Sequence, residues 1–140
     1  MATVKVDTVL DVSADAAWAV LADFGGFLNW AGDGSSSAEI EGDGVGMIRH
    51  LEMPGIGKFG EQLTVLDHDS KTLAYKIAYG APLGMASYGA TVTLQDKGDG
   101  TCAANWIGEF EGGDEAAISE GLKGSYAGMS DSLAAYVKEQ

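Results

Sequence analysis

Hydrophobic positions in this 140-residue chain follow a period of two for most of its length and a helical period only near the ends. Val4, Val6, Val9, Leu10 and Val12 predict a strand over residues 4–12. Ser13 then stands as a helix N-cap with Asp15 in the first turn. Trp18, Leu21 and Phe24 fall at helical spacing in the Ala-rich run 14–24, which Gly25-Gly26 stops. A short second helix is expected over 27–30, before AGDGSSS interrupts the chain. Six further strands are expected over 38–41, 46–53, 60–67, 72–79, 86–95 and 101–110. Turn signals separate them: Gly42-Asp-Gly44, Pro54-Gly55, residues 67–71, Ala81-Pro82 and the hairpin dipeptide Asp99-Gly100.

From Asp114 onward the pattern changes. Ile118, Leu122, Tyr126, Met129, Leu133 and Tyr136 recur every three or four residues, one stripe of a long amphipathic helix. Gly121, Gly124 and Gly128 lie beside the stripe, where each costs about 1 kcal/mol relative to alanine. Their lack of bulk suits a close backbone approach or open cavity space. Strands joined by short turns make an antiparallel sheet, and one long helix must lay its stripe on a face of that sheet. The fold class is therefore α+β. Residues 1–140 read as a single domain without repeats or linkers. A strongly bent sheet around the helix would leave a space between them.

Composition narrows the partners. The net charge of −13, from 8 Lys and Arg against 21 Asp and Glu, leaves no basic footprint for nucleic acid. Anionic membrane surfaces are disfavoured for the same reason, and no apolar run approaches a membrane span. A neutral small molecule remains as the partner class. One cysteine, Cys102, makes neither an intrachain disulfide nor a cysteine metal cluster, and it reads as a buried thiol. The N-terminal MATVKVDTVLDV lacks the basic and apolar blocks of a secretory leader, so a cytoplasmic location is the default expectation. The protomer is expected as a monomer or homodimer.

Alternation also sorts candidate lining residues. Leu73, Tyr75, Ile77 and Tyr79 share one face of their strand, and Tyr88, Ala90, Val92 and Leu94 share one of theirs. Arg49 goes with Leu51 and Met53, Glu61 with Leu63 and Val65, and Asn105 with Ala103, Ile107 and Glu109. Each apolar set thus carries a polar intruder. Counted outward from the turn between residues 53 and 60, Arg49 and Glu61 face one another. They read either as a polar end of a pocket or as a structural ion pair. Trp30 joins the lining candidates, with core packing as the alternative, and Met47, Met53, Met85 and Met129 supply adaptable apolar surface.

Two motifs invite other chemistry. Gly55-Ile-Gly57-Lys-Phe-Gly60 has the G-x-G-x-x-G spacing of a phosphate cradle, yet EQLTVL after it reads as a strand, so no helix N-terminus faces the loop. His68 between Asp67 and Asp69 resembles a metal cluster, but adjacent residues in a turn point apart, so a solvated β-turn is expected and no metal is assigned. His50 lies between Arg49 and Leu51 and faces outward if they face inward.

The stretches VSADAAWAVLADFGGFLNW and GVGMIRHLEMPG…GKFGEQLTVLDHDSKTLAYKI, with the closing helix, resemble the helix-grip, START-like or Bet v 1-like superfamily. Its bacterial polyketide cyclase/dehydrase-like branch and the plant abscisic-acid receptors are the parts most similar to this chain. The resemblance implies a curved antiparallel sheet of about seven strands wrapped around the long C-terminal helix, with one or two short helices after the first strand. It implies a polar, water-linked ligand network at Arg49, Glu61, Tyr88 and Asn105. It also implies a gate at residues 53–57 with Ile56 as apolar lid, a plain surface hairpin being the alternative. GAPLGMASY resembles the second mobile loop, with Leu83 or Met85 as its contact. The receptors' carboxylate-binding lysine has no counterpart in GDGSSSAEIE, which favours a neutral, phenolic or polyketide-like ligand.

Three functions follow. The first is a carrier for a small hydrophobic, aromatic, lipid or polyketide-like molecule. The second is a cofactor-independent cyclase, dehydratase or lyase with Glu61 or Asp33 as base, and with Tyr75, Tyr88 and Arg49 polarising oxygens. Contact with Arg49 makes Glu61 a weak base, and burial without that contact a stronger one. The third is a protein-interaction subunit, which a core collapsed without a cavity would support.

Overall fold

The computed structural model describes residues 1–32 and 34–140. Strand β1 (Ala2–Leu10) leads into helix α1 (Ala14–Leu21) and a 3-10 helix over Phe24–Asn29. Then come β2 (Ser37–Glu41), β3 (Ile48–Met53), β4 (Gly57–Asp67), β5 (Thr72–Tyr79), a 3-10 turn at Pro82–Gly84, β6 (Ser87–Asp96) and β7 (Cys102–Glu111). Helix α2 (Glu115–Lys138) closes the chain. The seven strands form one antiparallel sheet in the order β1-β7-β6-β5-β4-β3-β2. Among the described residues, only the β1–β7 pairing joins strands distant in sequence. This is the helix-grip arrangement, with the core lying between the sheet and the helices.

Both α-helices start at side-chain caps. Ser13 Oγ accepts the Ala16 N–H at 3.1 Å, and Asp114 Oδ1 accepts the Ala117 N–H at 3.1 Å. Ser13→Ala and Asp114→Ala should each cost about 1 kcal/mol in urea unfolding, with the slope unchanged. The α2 stripe buries Ile118, Leu122, Tyr126, Ser130 and Leu133. Cβ atoms at Gly121, Gly124 or Gly128 would meet nothing within 4 Å, so these glycines border open space rather than a close helix contact.

The expected second helix forms earlier than 27–30, as a 3-10 helix running through Gly25-Gly26. β3 starts at Ile48 instead of residue 46, because Gly46 takes a left-handed φ of 99°. β4 starts at Gly57, and Met53 pairs with Gly57, leaving a three-residue loop. The glycine-rich motif therefore belongs to a β-hairpin, and Gly55 (φ 80°) and Gly57 (φ 102°) supply left-handed turn positions. No helix follows that could offer its N-terminus to a phosphate.

Candidate functional site

Arg49 and Glu61 occupy directly paired positions on β3 and β4 and point to the inner face, 5% and 6% exposed. Nε and Nη2 of Arg49 both donate to Glu61 Oε1, at 2.8 and 2.7 Å. Nη1 donates to the Phe24 carbonyl at 3.3 Å. The guanidinium lies 3.9 Å from the Phe24 ring centroid and 4.1 Å from that of Phe27. The 3-10 helix is thus an aromatic clamp on the cation. Two opposite charges so enclosed cancel locally, and their directional contacts hold both groups still.

Beside this pair, between the sheet and α2, lies a void of about 210 Å³. Arg49, Leu51, Met53, Phe59, Glu61 and Tyr75 line it from β3, β4 and β5. Met85 and Tyr88 reach it from β6 and the turn before it, and Leu122, Ser125, Tyr126 and Met129 from α2. Phe27, Ala31 and Gly32 close one side. Ile56 and Leu83, both partly exposed, stand at the rim on their two loops. Leu83 holds a left-handed φ of 57°, uncommon for a residue with a side chain.

Three phenols face this region. Tyr88 and Tyr126 hydroxyls are 2.6 Å apart. The Tyr75 and Tyr88 rings meet edge to face at 6.2 Å. Burial pushes the Tyr75 and Tyr88 hydroxyls well above the ordinary phenol range, and Tyr126 up to about 12. All three are therefore protonated at neutral pH and act as hydrogen-bonding groups rather than bases. A phenol whose folded value lies above its unfolded one stabilises fully below the unfolded value of 10 and loses that contribution as pH rises through the folded value. Stability should accordingly be flat in this respect below pH 10 and fall across 10 to about 12 for Tyr126. Alkaline denaturation followed at the tyrosinate absorbance should show this loss, reduced in Tyr126→Phe.

Asn105, Tyr79, Ile77 and Trp30 are among the expected lining residues that lie elsewhere. Asn105 faces the outer side of β7 and donates to Asp7 Oδ1 on β1 at 2.6 Å. The inward set of β7 is Cys102, Ala104, Trp106 and Phe110, all buried, together with Gly108. The large apolar members of that alternation were the available signal. Tyr79 also faces outward, because an irregularity in the β4–β5 pairing takes the register from Glu61↔Ile77 to Gly60↔Tyr79. The skipped residue reverses the strand's alternation, and the Tyr79 hydroxyl meets His50 Nδ1 at 2.8 Å. Ile77 keeps the inner face opposite Glu61 and packs partly buried against the core without lining the void. Trp30 is buried one layer behind, around a space of about 10 Å³ shared with Arg49, Phe24 and Phe27. Tyr126, Phe27 and Phe59 were missed as lining residues. Tyr126 was visible only as one apolar position of the α2 stripe.

His50, as its parity requires, is on the outer face, with Nε2 3.1 Å from Glu41 Oε1. His68 Nδ1 accepts the Trp18 indole N–H at 3.0 Å, and Asp67 Oδ1 accepts the N–H groups of Asp69 and Ser70, as in a solvated turn. The proposed alternative base Asp33 lies outside the described residues. No helix among the described residues is long and apolar enough to cross a membrane.

The sequence profile of a family described as polyketide cyclase / dehydrase and lipid transport matches residues 1–138. No functionally curated protein matches the sequence. Among solved structures, a point mutant of norcoclaurine synthase from Thalictrum flavum, in complex with a transition-state analogue, is similar at 24% identity with a TM-score of 0.80. That match covers 99% of this chain and 94% of the synthase chain. A structure of the same plant enzyme with dopamine and hydroxybenzaldehyde matches at 24% identity and TM-score 0.77, covering 99% of this chain and 87% of the other. XoxI from Bacillus cereus matches at 21% identity and TM-score 0.81, covering 95% and 93%. These likenesses establish the shared fold.

Proposed function

The chain belongs to the polyketide cyclase/dehydrase and lipid transport family, and from that premise we propose that it binds a small hydrophobic, aromatic or polyketide-like molecule between its sheet and C-terminal helix. The observation carrying this reading is the void of about 210 Å³, apolar on most of its wall, beside an already paired Arg49 and Glu61. Buried apolar area supplies affinity there, and a few fixed polar groups supply orientation. A cavity of about 150 Å³ admits benzene, while drug-sized ligands occupy about 300–1,000 Å³. The ligand is accordingly of one or two rings. Ile56 and Leu83 at the rim support apolar closure over it. The protein-interaction reading loses its main support, a core without a cavity.

Native mass spectrometry of freshly purified protein, before and after organic extraction, tests this directly. A stoichiometric apolar small molecule is the expected release. Protein that is empty and also fails to take up a panel of hydrophobic dyes would overturn the reading.

A second reading is cofactor-independent acid–base chemistry of the cyclase, dehydratase or lyase type. It is favoured by Glu61 lining the same void as Tyr75 and Tyr88. Two Arg49 N–H groups on Oε1 argue for holding before proton abstraction. Incubation with the released ligand class separates the two. Recovery of an unchanged mass supports the carrier. A changed mass with wild type, but not with Glu61→Gln, supports the enzyme.

A further inference from the structure

Tyr126 sits where its ring stacks on Trp106, with centroids 5.2 Å apart and planes at 10°. Its carbonyl accepts from Ser130 Oγ at 3.0 Å, and that hydroxyl accepts the Trp106 indole N–H at 2.9 Å. Its hydroxyl reaches the β7 backbone at Gly108, where an added Cβ would collide with the phenolic oxygen. Gly108 therefore makes room for this hydroxyl, and the stack and the Ser130 bridge fix the ring. Tyr88, from β6, meets it at 2.6 Å.

Three protonated phenols own three protons; the Tyr88–Tyr126 hydrogen bond uses one, and the contact between the Tyr75 and Tyr88 hydroxyls a second. The third remains for a ligand oxygen, and it is strengthened by the bonds behind it. Both residues line the void.

We propose that the Tyr88–Tyr126 pair is an oxygen-recognition site that selects uncharged one- or two-ring ligands carrying a hydrogen-bond-accepting carbonyl or hydroxyl. The inference rests on the cavity reading and adds the ligand's chemistry to it. A ligand anion is rejected. Arg49 is the one cationic side chain among the described residues lining the void, and its charge is already balanced by Glu61, with Nε and one Nη2 N–H on Glu61 and one Nη1 N–H on Phe24. The net charge of −13 repels anions before they arrive. A hydrocarbon of the same shape leaves the free O–H without a partner inside the cavity, an unpaired polar group that weakens binding.

The test compares three probes by equilibrium dialysis: 1-tetralone, which only accepts, tetralin, its hydrocarbon counterpart, and 1-naphthoate, an anion of similar size. Wild-type protein should bind 1-tetralone at least about tenfold more tightly than either. In Tyr88→Phe/Tyr126→Phe the ketone-to-hydrocarbon ratio should fall to unity or below, because the carbonyl then leaves water without its partners. Gly108→Ala should lower the same ratio by displacing the Tyr126 hydroxyl, which serves if the double variant does not fold. Equal wild-type affinity for ketone and hydrocarbon would overturn the pair's role and leave the cavity standing. Tightest binding of 1-naphthoate would overturn the charge argument. Failure of all three probes to bind would overturn the cavity reading and this inference with it.

Discussion

Arg49→Met is expected to destabilise the protein by about 3–5 kcal/mol, because it strands the Glu61 carboxylate on the inner face without its partner. Both groups are more than nine-tenths buried, so water replaces the lost contacts only poorly. Methionine keeps much of the apolar stem between Phe24 and Phe27 but supplies no donor to Glu61 or to the Phe24 carbonyl. The double variant Arg49→Met/Glu61→Leu should recover most of the loss, since removing both charges removes the desolvation cost together with the attraction. Urea unfolding of the two singles and the double closes the cycle. A single variant that loses less than about 1 kcal/mol would mean that the pair is solvated in solution. Recovery of stability in the double variant, without recovery of ligand, would show that the pair is kept for the pocket rather than for the fold.

Leu122→Trp is expected to have the largest effect on binding. Leu122 is buried in the α2 stripe and lines the void, so an indole at this position occupies the space proposed for the ligand. Affinity for 1-tetralone should fall by at least about 100-fold, equivalent to about 2.7 kcal/mol. Overpacking a filled core costs about 1–3 kcal/mol, whereas here the added atoms enter empty space, so the melting temperature should hold or rise. Wild-type affinity in this variant would place the ligand elsewhere. A cooperative fold with no bound ligand would locate it between the sheet and α2.

The strands were legible because their periodicity is local. So were their turns, since Asp99-Gly100 and Pro54-Gly55 are backbone signals confined to a few residues. The facing of Arg49 and Glu61 was legible too, because a short hairpin sets the register of its own two strands. Asn105 and Tyr79 were assigned to the wrong face for different reasons. On β7 alternation says which residues go together but not which set points inward, and that choice follows from the partners β1 and β6. On β5 one skipped residue opposite β4 breaks the alternation itself.

By itself, then, the sequence determined the α+β class, the element order, the Ser13 helix cap, the strongly acidic net charge, and the facing of Arg49 and Glu61 across one hairpin. Each depends on residues close along the chain or on composition alone. The tertiary structure decided what the pocket is made of. Tyr126 meets Tyr88 across 38 positions, Gly108 opens the place for its hydroxyl, and the 3-10 helix brings Phe24 and Phe27 over Arg49. Those contacts arise only when the sheet curves around α2, because no local pattern encodes the distance between a helix stripe and strands formed elsewhere.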